Sequence, residues 1–88
     1  NRIGVHFRIK PFTKEQTARY IDIQMTQAGA AENIFDLSVK ELIHDFTGGL
    51  ARAINNLATA CLLQATARNV LRIDENVFQQ TAAEFQLV

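Results

Sequence analysis

The chain has 88 residues and a mass of 9.9 kDa, which suits one small domain and excludes a second independent core. Its 48% hydrophobic and 20% charged residues mark a globular rather than a disordered sequence. Nine basic and nine acidic residues cancel, so no strong overall field exists to hold a nucleic-acid backbone or an anionic membrane surface. The single cysteine, Cys61, has no internal disulfide partner, and two distant histidines give no four-ligand zinc pattern. This usage suits a reducing cytoplasm. No apolar run approaches the roughly 20 residues needed to span a bilayer, so membrane insertion is not expected. Asn1 stands where an initiator methionine would, which suggests a fragment of a longer protein.

Residues 2–10 alternate, with Ile3, Val5, Phe7 and Ile9 on one side and Arg2, His6, Arg8 and Lys10 on the other. This pattern predicts a strand with no comparable partner later in the chain, so its partners are expected elsewhere. Pro11 closes it. Thr13 with Gln16 three residues on is a capping-box signature that opens a helix over about 14–28. Ala18, Ile21, Met25 and Ala28 are its expected inner face, and Gly29 ends it, followed by a loop to Asn33.

Asp36 is expected to cap a second helix over about 37–47, where Val39, Leu42, Ile43 and Phe46 form one buried stripe before Gly48 and Gly49 stop it. The third helix, about 50–68, is apolar around most of its circumference, through Leu50, Ile54, Leu57, Ala58, Cys61, Leu62 and Ala65. Such a helix is normally central. Arg52, Asn55, Asn56 and Thr59 collect on a narrow polar strip of it, which must face water or a ligand. Asp74 caps a fourth helix over about 75–86, with Val77, Phe78, Ala82 and Phe85 inward. The expectation is an all-α four-helix domain over residues 11–88, preceded by a strand and hinge over 1–10 that belong to another unit.

Arg52 is the first candidate for chemistry. A cation in the opening turn of a helix sits at the unfavourable end of the macrodipole. With free backbone N–H groups, the Gly48-Gly49 pair and a guanidinium fork, this helix start could hold a phosphate. The alternative is a solvated arginine that merely suits a helix.

Glu41, His44 and Asp45 share a helix face, a weak metal pattern more typical of a solvated surface. Cys61 and Met25 fall on apolar stripes as core filling. Tyr20 and Ile23 project away from the Ile21 side as a small second apolar patch, suited to a core domain or a neighbouring subunit. Arg2, Arg8, Lys10 and Lys14 precede the first acidic residue, Glu15, and give the start of the chain a local positive field. Helices 2 and 3, joined through Thr47-Gly48-Gly49, have a weak helix-turn-helix look, but the second offers few base-reading side chains.

The run Arg2-Ile3 through Phe7-Arg8-Ile9-Lys10-Pro11-Phe12-Thr13, then Tyr20-Ile21, Ala28-Gly29, Ile34-Phe35 and Gly49-Leu50-Ala51-Arg52-Ala53-Ile54-Asn55, resembles the C-terminal lid of AAA+ ATPases. Within that superfamily it looks most like the general secretion pathway A-type and transposition helper ATPases. The resemblance covers nearly the whole chain. Its most specific part is Gly-x-x-Arg-x-Ile-Asn, in which the group usually carries proline before the arginine and this chain carries Ala51.

The resemblance implies a sensor 2 role for Arg52, reaching across the nucleotide to its γ-phosphate in a complete enzyme. It also implies a nucleotide-binding set of Pro11, Phe12, Tyr20, Gly49, Leu50, Ala51, Arg52 and Asn55. Leu50 and Ala51 would lie near the base, and Ile9, Pro11 and Phe12 beside the adenine with Tyr20 nearby, or these would serve as hinge packing. Asn55 and Asn56 could orient Arg52 or simply face solvent. Arg2 could be a trans-acting finger or an ion-pair partner.

The implied cofactor is ATP with Mg²⁺, and the implied partners are a separate ATPase core, further copies of the parent, and through the parent DNA or a transposase. No Gly-x-x-x-x-Gly-Lys-Ser/Thr loop occurs in the chain, so by itself it is expected to form no ATPase site. The alternatives are the lid of a secretion-pathway ATPase, a stand-alone DNA-binding module and a protein-interaction bundle.

Overall fold

Thr13 and Gln16 satisfy each other's main chain: the Gln16 N–H donates to Thr13 Oγ1 at 3.1 Å, and the Thr13 N–H donates to Gln16 Oε1 at 2.9 Å. This reciprocal cap starts helix α1, Lys14–Gln27. The computed structural model describes residues 10–30 and 34–86. Only Lys10 of the expected strand lies among them, so that strand and the boundary drawn at residue 10 fall outside the described residues, as does the loop at 31–33.

At the far end of α1, Gly29 adopts a left-handed φ of 78°. The N–H groups of Gly29 and Ala30 then reach back to Thr26 and Met25 at 3.0 and 2.9 Å and close the last turn. Helix α2, Leu37–Thr47, stops at Gly48 with φ 68°. Helix α3, Ala51–Ala67, ends by the same device as α1, with Asn69 at φ 59° in the glycine position and bonds from Asn69 to Thr66 and from Val70 to Ala65. Helix α4, Glu75–Gln86, is capped by Asp74, whose carboxylate accepts the Val77 N–H at 3.0 Å.

The described residues therefore form an all-α, four-helix domain. α1 packs mainly on α2 and α4 mainly on α3, with α2 against α3 between them. Ile21 of α1, Val39 and Ile43 of α2, Ile54, Leu57 and Cys61 of α3 and Val77 and Phe78 of α4 meet in one core. Among the described residues only α3 contributes five buried positions, which accounts for its apolar circumference. The α1–α2 and α3–α4 connections are joined by an isolated parallel bridge, Phe35 to Ile73. There the Asp36 N–H donates to Ile73 O at 3.1 Å and the Ile73 N–H to Ile34 O at 2.8 Å, so two loops share main-chain bonds that neither could make alone.

Several details differ from the sequence expectation. Asp36 occupies the N-cap of α2 without a side-chain cap bond, because its carboxylate pairs with Arg72 in the α3–α4 connection. Thr17, not predicted as inward, is fully buried on α1, whereas Ala28 is exposed. Leu50 precedes α3 and is 50% exposed rather than packed inside. Phe46 lies at the core margin, edge-on to Phe78 and Phe85 at 6.2 and 6.3 Å. Lys40 is buried along its stem and carries its ammonium to Asp22 of α1 at 2.8 Å.

Candidate functional site

The corner between α2 and α3 is built by Thr47 and two glycines. Thr47 Oγ1 donates to Ile43 O at 2.7 Å and accepts the Gly49 N–H at 3.2 Å. Gly48 and Gly49 then take consecutive left-handed conformations, φ 68° and 83°. Gly49 is also where another segment arrives: the Phe12 N–H donates to Gly49 O at 2.8 Å. A Cβ on Gly49 would overlap the Phe12 carbonyl oxygen and stand 2.9 Å from the Phe12 nitrogen, so only glycine fits.

Helix α3 starts directly after this corner. Leu50 at its N-cap offers no side-chain acceptor, and the first turn holds no acidic residue. The amides of Ala51, Arg52 and Ala53 therefore have no side-chain cap, and the dipole end is not neutralised by the helix itself. Arg52 projects from this turn into solvent, and among the described residues it has neither an ion pair nor a hydrogen bond. A solvent-exposed guanidinium beside uncapped amides is an arrangement that favours an anion carrying several oxygens.

The predicted set is brought together in part. Phe12 bonds to Gly49, and its ring lies 5.1 Å from that of Tyr20, tilted by 56°. Tyr20 and Asn55 share a cleft of about 200 Å³ between α1 and α3, floored by Ile54 and Ala58 and flanked by Met25 and Thr59. Leu50, Ala51 and Arg52 follow Gly49 along the chain, and Pro11 lies exposed beside Phe12.

The suggestion that Asn55 and Asn56 orient Arg52 is not supported by contact, since both are exposed and neither bonds to it among the described residues. Tyr20 does not form an outward patch with Ile23. It turns onto Phe12 and the core edge, leaving Ile23 half-exposed. Arg2 and Ile9 lie outside the described residues.

His44 is the residue whose position sequence reasoning missed. Grouped there with Glu41 and Asp45, it instead turns its Nε2 to the Phe12 carbonyl at 3.0 Å, while Nδ1 lies 3.4 Å from the Asp45 carboxylate. Among the described residues no group of three potential metal ligands converges. Asp45 accepts from Lys14 at 3.2 Å, and this bond, ahead of the one from His44, holds its carboxyl below the usual carboxylate range. No local pattern announces the His44 contact, because 32 residues separate it from Phe12.

The chain matches no protein-family model, and comparison with curated proteins and with solved structures finds no match. The resemblance to AAA+ lids therefore rests on the residues quoted for it.

Proposed function

We propose that this domain is the C-terminal lid of an AAA+ ATP-binding protein, with Arg52 as its sensor 2 arginine. The observation that carries this reading is the exposed Arg52 guanidinium on the uncapped first turn of α3, within the Gly49-Leu50-Ala51-Arg52-Ala53-Ile54-Asn55 block. The parent core would hold the phosphates and Mg²⁺, for which this chain carries no phosphate loop. Arg52 would meet the γ-phosphate oxygens from the opposite side and stabilise charge that builds there during transfer. Loss of the γ-phosphate removes that contact and loosens the lid, so lid position reports nucleotide state. The Phe12, Tyr20 and Asn55 surroundings of the α1–α3 cleft would border the base. Among parents of this kind, a DNA transposition helper fits the resemblance best and a secretion-pathway ATPase second.

The test is Arg52→Ala in the full-length parent. Because Arg52 is exposed, the substitution should leave folding stability within about 0.5 kcal/mol. Nucleotide turnover should fall by on the order of a hundredfold, the scale of losing one preorganised charge-stabilising donor, and nucleotide-dependent assembly should be lost with it. Unchanged turnover and assembly remove the proposal. The 88-residue chain alone should bind ATP only feebly; micromolar binding by calorimetry would contradict a divided site. Steeply salt-dependent binding of duplex DNA by the chain without nucleotide would favour the DNA-binding alternative.

A further inference from the structure

Phe12 commits both of its main-chain polar groups to the α2–α3 corner. Its N–H donates to Gly49 O at 2.8 Å, and its carbonyl faces His44 Nε2 at 3.0 Å. A carbonyl only accepts, so Nε2 carries the proton in this arrangement. The ring of Phe12 rests on Tyr20, and two residues later Lys14 pairs with Asp45, the neighbour of His44. Gly49 lets the two main chains approach to a distance at which any side chain would collide.

A segment held by a side-chain contact alone can swivel about it. One held through both polar groups of the same residue cannot slide or rotate without breaking two bonds together. The far side of the corner is equally constrained, because Arg52 lies three residues beyond Gly49 on the first turn of α3, a helix anchored in the core by Ile54 and Leu57.

We propose that His44 is a positioning residue which, with Gly49, latches the lead-in Lys10–Thr13 to the corner from which α3 starts. Any displacement of this lead-in is thereby passed to the α3 first turn and to Arg52. The latch stands on main-chain geometry. Its consequence for sensing nucleotide rests on the function proposed above, where it would tie the lid angle to the reach of Arg52.

The experiment uses the 88-residue chain with a nitroxide on Lys10→Cys and reads paramagnetic broadening and hydrogen exchange at backbone amides by NMR. Cys61 is buried and its thiol is pushed up to about 11, so it stays unlabelled at neutral pH. In the unsubstituted background, the Phe12 amide should be protected and the label should broaden Leu50 to Ala53 in a steep, position-dependent pattern.

His44→Phe keeps a ring but removes the donor. It should speed Phe12 exchange at least tenfold and blur that pattern, with Cys61 and Val77 amides unchanged. His44→Gln, whose amide nitrogen can stand in for Nε2, should restore both. Unchanged exchange and broadening in a folded His44→Phe overturn the latch. If that variant does not fold, a Phe12 amide in the unsubstituted protein that exchanges as fast as an unstructured peptide overturns it equally. An Arg52 dispensable for turnover in the parent would sink the nucleotide role and leave these readouts as they are.

Discussion

Asp36 and Arg72 form an ion pair that ties the start of α2 to the α3–α4 connection, across the point where Phe35 and Ile73 bridge. The carboxylate thereby leaves the α2 amides that an N-cap aspartate ordinarily serves. Two roles compete for one side chain, and the loss of either partner should be partly offset by the other role. Arg72 is largely exposed, so Arg72→Ala should cost less than about 1 kcal/mol in urea unfolding, the usual range for a surface pair. Asp36 would then be free to turn to its own helix. A loss above about 2 kcal/mol would show that the pair, rather than the main-chain bridge, holds the two loops together.

Gly29 and Gly49 both have positive φ, 78° and 83°, but differ in what surrounds them. A Cβ on Gly29 meets open space, so Gly29→Ala should cost only the left-handed penalty, about 1 kcal/mol. At Gly49 the same penalty adds to a collision with the Phe12 main chain. Gly49→Ala should therefore cost about 3 kcal/mol or more, measured by the same denaturation. Equal losses at the two positions would refute the close approach.

Thr17 is fully buried, and its hydroxyl has no hydrogen-bond partner among the described residues. Thr17→Val replaces the hydroxyl with a methyl group of similar shape and removes the cost of an unsatisfied buried group. The variant should gain about 1 kcal/mol, visible as a higher melting temperature. Destabilisation by that amount would mean that the hydroxyl is bonded in solution.

The Asp45 carboxyl is held below its ordinary value of 3.8, first by Lys14 and then by His44. A depressed carboxylate contributes stability that is present above the unfolded value and is lost as pH falls through the folded one. The contribution should therefore begin to fall below about pH 4 and decline further as the pH drops through the lower folded value, and Asp45→Asn should flatten the acid limb of the stability profile. Urea midpoints from pH 2 to 6 would show it. An unchanged acid limb in the variant would place the responsible carboxylate elsewhere.

Burial pushes the Cys61 thiol from 9.0 up to about 11. The folded state therefore disfavours the thiolate. Stability on this account is intact below pH 9 and declines as pH rises from there toward 11. In the native protein at pH 8 a thiol reagent should react with Cys61 far more slowly than in urea. Comparable rates in both would show that the α3 core opens freely.

The helices were legible because their signals are local. Thr13 and Gln16 lie three residues apart, Asp74 reaches an amide three residues on, and the Val39–Ile43 stripe repeats each turn. The Arg52 neighbourhood was legible for the same reason, as Gly49 through Asn55 are contiguous. Asn69 was overlooked because a non-glycine residue took the left-handed stop at the end of α3. Phe46 was placed inside by its position on the α2 stripe and Leu50 by being counted into an apolar α3, and neither spacing nor hydrophobicity says where a helix face runs out.

By itself, then, the order of residues determined four amphipathic helices and the points at which most of them begin and end, since caps and stripes are settled within about a turn of helix. Tertiary structure alone decided that Asp36 serves Arg72, that His44 faces Phe12, and that Gly49 rather than Gly48 must lack a side chain. Those contacts join residues 32 to 37 positions apart, and nothing in the local chain distinguishes them until packing brings the segments together.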